Sequence, residues 1–329
     1  MVRMEEASTL PVLVPTRSHS LVELPASVGR YVEAGLQGAA NTKRGYAADL
    51  RSFADYCQHH GLSYLPAEVS TVAGYVAQLA DRGKQYATLR RHVAAIAKLH
   101  QLAGQPSPTS HEALGVVLDG VARVHGRRQR QAPAFTVAEL KQAIRALNLT
   151  TPTGLRDRAL LLLGFAGAFR RSELVALNVE DVELTRQALV LHLRRSKTNQ
   201  YGEAEDKAVF YAPSADYCPV RAVQDWLQVL GRPTGPLFTR MSRGTSRRPA
   251  QPGAARLSDQ SVNDLVQRHL GPLYTAHSLR ASFVTVAVEA GQSNKAIKNQ
   301  TKQKTDAMIE RYARLDDVKR FNAAQYLGL

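Results

Sequence analysis

Two segments of this chain place paired polar side chains three positions apart. In GAFRRSELVAL, residues 167–177, Arg170 precedes Glu173, and in AHSLRASF, residues 276–283, His277 precedes Arg280. On a helix, a spacing of three puts both side chains on one face. The second pair sets an acid/base group beside a guanidinium that can clamp a phosphate. In the first, Glu173 can hold the guanidinium of Arg170 or brace a neighbour. Either pair alone is also what an ordinary helix surface carries, worth about 0.2–0.5 kcal/mol. Two further residues stand apart. Lys197, in RRSKTN, lies in a polar loop that can carry an ammonium to a site built elsewhere. Tyr312, in IERYARLDD, lies near the C-terminus, and a phenol of pKa about 10 needs help to lose its proton at neutral pH.

The elements that must position these residues are mostly helical. Residues 1–20 hold Pro11 and Pro15 among small polar residues and read as a flexible tail. Residues 21–128 read as an all-α unit. Tyr46, Leu50, Phe53 and Cys57 predict a helix over 42–60, with Gly61 as its stop. Ser70 is placed to cap a second helix ending near Gly83. Leu89, Val93, Ile96 and Leu99 predict a third over 87–102, and a fourth lies between 110 and 125. A basic linker, 129–133, leads into a unit spanning 134–329. There, helices over 136–147 and 157–165 precede strand-like runs at 182–184, 188–193 and 208–211. Residues 240–256 carry five arginines among Gly, Pro and Ser and read as a mobile basic loop. Ser258 caps the next helix, with Leu257 and Val262 as a hydrophobic staple. Thr305 is placed to cap the Tyr312 helix, whose apolar stripe is Met308, Ile309 and Leu315. The fold class is therefore mainly α with a small antiparallel sheet (α+β) in the C-terminal unit.

Composition narrows the partner. The chain has 329 residues, enough for two cores, and 44% are hydrophobic. The longest apolar run, 159–169, is too short to cross a bilayer, so no membrane partner is expected. Lysine and arginine number 43 against 28 acids, giving a net charge of +15 spread along the chain. A polyanion, by default nucleic acid, is the expected partner. Lys43, Arg44 and Arg51 on the first helix are candidate contacts, with Arg90 and Arg91 on the third. Arg127, Arg128 and Arg130 near the linker and Arg243 in the basic loop join them. The two cysteines, Cys57 and Cys218, are far apart and argue for a reducing compartment and against a zinc site. No leader segment is evident, and a cytoplasmic, nucleoid-associated protein of bacterial, phage or plasmid origin is expected.

Arg-x-x-Glu, then a lysine after a strand, then His-x-x-Arg, then a tyrosine near the C-terminus is the signature of the tyrosine recombinases and phage integrases. The chain resembles the Cre-like members of that family over most of its length. TKRGYAADLRSFADYC and YATLRRHVAAI look like the family's helical core-binding (SAM-like) domain. The resemblance gives Arg170, Glu173, Lys197, His277, Arg280 and Tyr312 the catalytic roles. It implies a two-domain DNA clamp, and four protomers on two inverted-repeat sites of duplex DNA. These exchange strands through a Holliday junction and are linked by C-terminal helix exchange. One position departs from the pattern. The family usually places a His or Trp, often after Gly, nine residues before the nucleophile, where this chain has Gln303 after Lys302.

The chemistry implied accounts for the residue types. A phosphodiester is anionic and repels nucleophiles. Arg170 and Arg280 neutralise its nonbridging oxygens as the transition state forms. His277 helps Tyr312 lose its proton, and Lys197 gives one to the leaving 5′ oxygen. The covalent 3′-phosphotyrosine conserves the bond. No metal or other cofactor is needed. Two other functions stay open: a type IB topoisomerase-like relaxing enzyme, and a DNA-binding regulator with a decayed site, which Gln303 motivates. A large DNA clamp predicts a steep loss of affinity with salt. The log–log slope should be about −0.9 per phosphate neutralised, read by a salt titration of DNA binding, and a flat response would remove the clamp.

Overall fold

The computed structural model describes residues 40–127, 132–193, 205–245, 249–303, 305, 306 and 309. The chain divides into two compact units, Met1–Arg130 and Gln131–Leu329. The expected tail at 1–20 lies outside the described residues.

The first unit contains α1 (Ala40–His60), α2 (Val69–Asp81), α3 (Tyr86–Leu102) and α4 (Glu112–His125). Its core joins Phe53 and Cys57 of α1 to Val72, Tyr75 and Val76 of α2, Leu89, Val93 and Ile96 of α3, and Leu114 and Leu118 of α4. Gly61, at φ +65°, ends α1, as its position suggests. The cap of α2 differs from expectation. Glu68 is its N-cap residue, and the Ser70 hydroxyl instead donates to Glu68 Oε2 at 3.2 Å. The apolar face of α1 also carries a buried carboxylate, Asp49. Arg91 reaches it through Nε and Nη2 at 2.7 and 2.9 Å, and His92 Nε2 lies 3.2 Å away. Tyr75 extends the network, its hydroxyl 2.9 Å from both Ser52 Oγ and His92 Nδ1. A carboxylate is tolerated in a core only when it is paired in this way.

The second unit begins with α5 (Val137–Arg145), closed by a capping box between Thr136 and Glu139. α6 (Pro152–Ala166) starts well before the expected 157. Pro152 sits in its first turn, where no amide partner is lost, and the Thr151 hydroxyl accepts from the Gly154 amide at 3.1 Å. α6 is buried on nearly every side and packs on α8 (Pro219–Leu230). Between α6 and α8 come α7 (Arg171–Ala176) and an antiparallel sheet of β1 (Val182–Leu184), β2 (Ala188–Leu193) and β3 (Glu205–Phe210), in that order. β3 begins before the expected 208, because Glu205, Asp206 and Lys207 pair with Leu193, His192 and Leu191 of β2.

The segment 240–256 is not simply a loop. β4 (Thr239–Met241) pairs antiparallel with β5 (Pro252–Arg256). Arg256 explains the order at its end, since Nη1 donates to the Val175 and Leu177 carbonyls at 2.6 and 2.9 Å and so covers the C-terminal end of α7. α9 (Asp259–Leu270) follows. Ser258 caps it by accepting from the Ser261 amide at 3.1 Å, and Leu257 and Val262 are both buried beside it. α10 (Ala276–Glu289) and α11 (Asn294–Thr301) complete the described helices. Ile309 is buried with Val284, Ala287 and Ile297. Both cysteines are buried thiols. Among the described residues, no helix is long and apolar enough to cross a membrane.

α11 ends on Lys302 in the left-handed region, at φ +53° and ψ +39°, with its amide donating to Lys298 O at 2.7 Å. A side chain there costs roughly 1–2 kcal/mol, offset by the entropy that glycine loses on folding. Lys302→Gly should therefore stabilise the protein by up to about 1 kcal/mol, raising Tm by about 2–4 °C. A lowered Tm in thermal unfolding would mean that the lysine side chain outweighs the backbone strain.

Candidate active site

The site is organised by the tight turn between α6 and α7. Gly167 leaves room for it, because a Cβ there would lie 2.2 Å from the Phe169 ring. Ala168 follows at φ +46°, an unfavourable conformation for a residue with a Cβ. The turn points its carbonyl oxygens at donors from distant elements. Gln300 of α11 donates to Ala166 O at 2.8 Å, and to Ala208 O of β3 at 3.0 Å. Lys207 Nζ of β3 donates to Gly167 O at 2.9 Å and to Ala168 O at 3.4 Å. Arg280 Nη1 of α10 donates to Ala168 O at 2.8 Å. α10 comes close enough because residue 164 of α6 is glycine, where a Cβ would lie 2.8 Å from Leu279 Cδ1.

Arg170 is the N-cap residue of α7. Its amide donates to Glu173 Oε2 at 3.0 Å, and its guanidinium pairs with Oε1 of the same carboxylate. Lys207 Nζ stands 3.6 Å from Glu173 Oε2 and 4.5 Å from the centre of the Phe169 ring. Glu173 thus both holds Arg170 and braces a neighbour, the two uses its sequence position allows.

Burial is deep. Side-chain exposure is 2% for Glu173 and 0% for Lys207, against 16% for Arg170, and Arg280 as a whole residue is 2% exposed. Burial alone would raise the Glu173 carboxyl, but the Lys207 and Arg170 charges and the Arg170 hydrogen bonds hold it below the usual carboxylate range. Lys207 is pushed down to about 7 by burial. Glu173 opposes that shift, and the charges of Arg280 and Arg170 reinforce it. Two guanidinium groups fixed at one turn, beside more positive than negative charge, are suited to bind an oxyanion.

Of the residues singled out in the sequence, Arg170, Glu173 and Arg280 come together at this turn. His277 shares α10 with Arg280 but is exposed on its first turn, whereas Arg280 is buried. Gln303 is buried just beyond α11, with the Thr301 hydroxyl 3.3 Å from its Oε1. Lys197 and Tyr312 lie outside the described residues, as do Arg128 and Arg130. Sequence reasoning missed Lys207 and Gln300. Lys207 could have been found from its period-two relation to Val209, since both are buried on β3. Gln300 gave no such signal.

The candidate DNA contacts sit in varied settings. Arg44, Arg51 and Arg90 are exposed on α1 and α3, and Arg243 is exposed after β4. Lys43 falls within α1, but its side chain is outside the description. Arg91 is held by Asp49. Arg127 pairs with Asp119 at 2.6 Å and lies over the Tyr86 ring.

Comparison with known proteins shows the family and the fold. Residues 134–319 match the phage integrase family, and residues 30–105 match the N-terminal SAM-like domain of phage integrases. A relative from Selenomonas ruminantium, described as an integrase/recombinase XerD homolog, is 36% identical over 294 residues, covering 87% of this chain and 84% of its own. The recombinase Cre of Escherichia phage P1 is 25% identical over 267 residues, covering 74% of this chain and 75% of its own. Among solved structures, the XerH site-specific recombinase in its post-cleavage complex with difH substrate superposes with a TM-score of 0.64 at 15% identity, covering 86% of this chain and 79% of that one. A lambda integrase (75–356) dimer bound to a core site superposes with a TM-score of 0.55 at 17% identity, covering 87% and 94%. The expected mainly helical fold with a small antiparallel sheet in the second unit is observed, and a two-stranded sheet, β4–β5, adds to it. With its catalytic-domain match covering more than half its length, the chain belongs to the phage integrase family.

Proposed function

We propose that the protein is a site-specific DNA recombinase that cuts and rejoins duplex DNA through a 3′-phosphotyrosine intermediate and a Holliday junction. One observation carries the reading. Arg280 donates to the carbonyl of Ala168 across 112 residues of sequence, two positions before Arg170, so both family arginines are fixed at one turn. Its tyrosine recombinase relatives support the same activity and do not favour a relaxing enzyme or a regulator.

In this mechanism Arg170 and Arg280 bind the nonbridging oxygens of the scissile phosphate and stabilise the charge that grows there. Glu173 holds Arg170 in place. Tyr312 attacks phosphorus, the 5′ oxygen leaves, and Lys197 supplies its proton. His277, exposed at the start of α10, assists removal of the tyrosine proton. Gln303 offers an uncharged amide donor where the family usually has His or Trp. The helical unit at 21–128 and the catalytic unit at 134–329, joined by 129–133, clamp double-stranded DNA at an inverted-repeat site. The exposed Arg44, Arg51, Arg90 and Arg243 contribute phosphate contacts.

Assembly as a tetramer would use the C-terminal segment. Val318 and Phe321 stand three apart there, a helical spacing, with Leu327 further on. An apolar hollow of about 590 Å³ in the catalytic unit, lined by Leu140, Leu162, Phe165, Phe210 and Phe283, supports a role as the receiving surface for a neighbour's tail. Phe210 is 66% exposed in it.

Single-turnover cleavage of a nicked trapping substrate tests the site. Tyr312→Phe should bind DNA normally and form no covalent adduct, and Arg170→Ala or Arg280→Ala should be slower than Gln303→Ala. Gln303→Ala should cleave about 10- to 1000-fold slower than wild type. Adduct from Tyr312→Phe would overturn the nucleophile assignment. Truncation after Leu315 should lower cooperative assembly on paired sites more than single-site binding, as read by mobility shift. Unchanged cooperativity would mean that the tail does not link protomers.

A further inference from the structure

We infer that Lys207 is a positioning residue for strand cleavage, locking the α6–α7 turn and Glu173 so that Arg170 and Arg280 hold a fixed separation around the scissile phosphate. The inference rests on the reading of Arg170 and Arg280 as the phosphate clamp. It adds a residue that cannot touch DNA itself, because the Lys207 side chain is 0% exposed.

The geometry gives Lys207 contact with both halves of the clamp. Its ammonium lies 3.6 Å from Glu173 Oε2, and the other oxygen of that carboxylate pairs with the Arg170 guanidinium. It shares the Ala168 carbonyl, at 3.4 Å, with Arg280 at 2.8 Å. A further bond, 2.9 Å to Gly167 O, fixes the preceding peptide. The turn itself is strained, with Ala168 at φ +46°, and such a conformation persists only where its surroundings over-determine it. Lys207 and Arg280 supply that determination from β3 and α10. The lysine also lies over the face of Phe169, which lines the buried side of the turn.

This placement is costly. Burial brings the ammonium down to about 7, and the charged groups acting on it are Glu173, Arg280 and Arg170. An apolar residue would fill the space more cheaply, as buried ion pairs often add little stability. Geometry is then the gain. A displacement of 1 Å at a reacting centre can cost about 100-fold in rate, whereas overall DNA affinity comes mainly from phosphate contacts elsewhere.

The test compares Lys207→Met, Glu173→Gln, the double variant and Arg170→Ala in the full chain. Each is measured for thermal unfolding, DNA affinity and single-turnover cleavage at saturating protein on a nicked trapping substrate. Lys207→Met should stay folded at a lower Tm, since side-chain length is kept while Glu173 and the Gly167 carbonyl lose a partner. It should bind DNA within about 3-fold of wild type and cleave about 10- to 100-fold slower. The double variant should be little slower than the worse single variant, because both act through one carboxylate. Wild-type cleavage by Lys207→Met, with Arg170→Ala inactive, would overturn the inference and leave the clamp reading intact. Wild-type cleavage by Arg170→Ala would overturn the clamp reading itself. Multiplicative losses in the double variant, or binding and cleavage lost in parallel, would reduce Lys207 to a packing residue. If Lys207→Met does not fold, Lys207→Gln is measured on the same terms, and failure of both to fold would likewise mean a purely structural role.

Discussion

The carbonyl oxygens of the turn between α6 and α7 must find donors, and the layout of the catalytic unit follows from where those donors come from. The oxygens of Ala166, Gly167 and Ala168 receive Gln300 from α11, Lys207 from β3 and Arg280 from α10. A helix end buried without such partners would be unstable, so three elements far apart in sequence are drawn to one point. Arg170 and Glu173 stand at the beginning of the next helix and inherit the geometry of the turn. Two of its supports are charged, so the device that satisfies the backbone also loads the site with positive charge. The groups that stabilise the turn are therefore the same ones that set the local charge.

Much of this was legible beforehand. Arg170 and Glu173 betray themselves by spacing, and His277 and Arg280 do the same within an apolar helix pattern. Ser258 with Leu257 and Val262 states a helix start without ambiguity, and the structure bears it out. What escaped detection has a common cause. Lys207 and Asp49 are charged residues at core-facing positions, and a pattern of hydrophobicity treats them as solvent-facing. Both are buried because a partner from another segment neutralises them, Glu173 for one and Arg91 with His92 for the other. Such partnerships are long-range: alternation with Val209 puts Lys207 on the buried face of β3 but does not name Glu173 as its partner. For the same reason β3 was begun too late, as Glu205 to Lys207 read as the end of a polar loop. The composition of 240–256 suggests a mobile loop, but Arg256 is anchored by the carbonyls of Val175 and Leu177, far earlier in the chain. Ser70 shows the other kind of error, a local signal that admits two readings.

Arginine in this chain serves two purposes that composition cannot separate. Arg156 and Arg158 are buried around Asp157, the Thr239 carbonyl, Asp225 and the carbonyls of Ala215 and Asp216. Arg256 and Arg280 also serve the interior, whereas Arg44, Arg51, Arg90 and Arg243 are exposed. A net charge of +15 therefore overstates the cations available to a polyanion on the surface. Arg91 and Arg127 are exposed and bonded to carboxylates. For them, contact with a phosphate would be an exchange of one anion for another.

The hydrophobic core of the first unit draws on α1 to α4, and the main core of the second runs from Phe135 to Leu279. Each unit thus carries its own source of folding free energy. Substitutions on the outer faces of α1 and α3 can accumulate without disturbing the α6–α7 turn. Under the proposed function, the exposed Arg44, Arg51 and Arg90 belong to a unit whose core is separate from the one that supports the α6–α7 turn. Two separate cores mean that a destabilising change in one unit does not remove the buried apolar contacts that hold the other together.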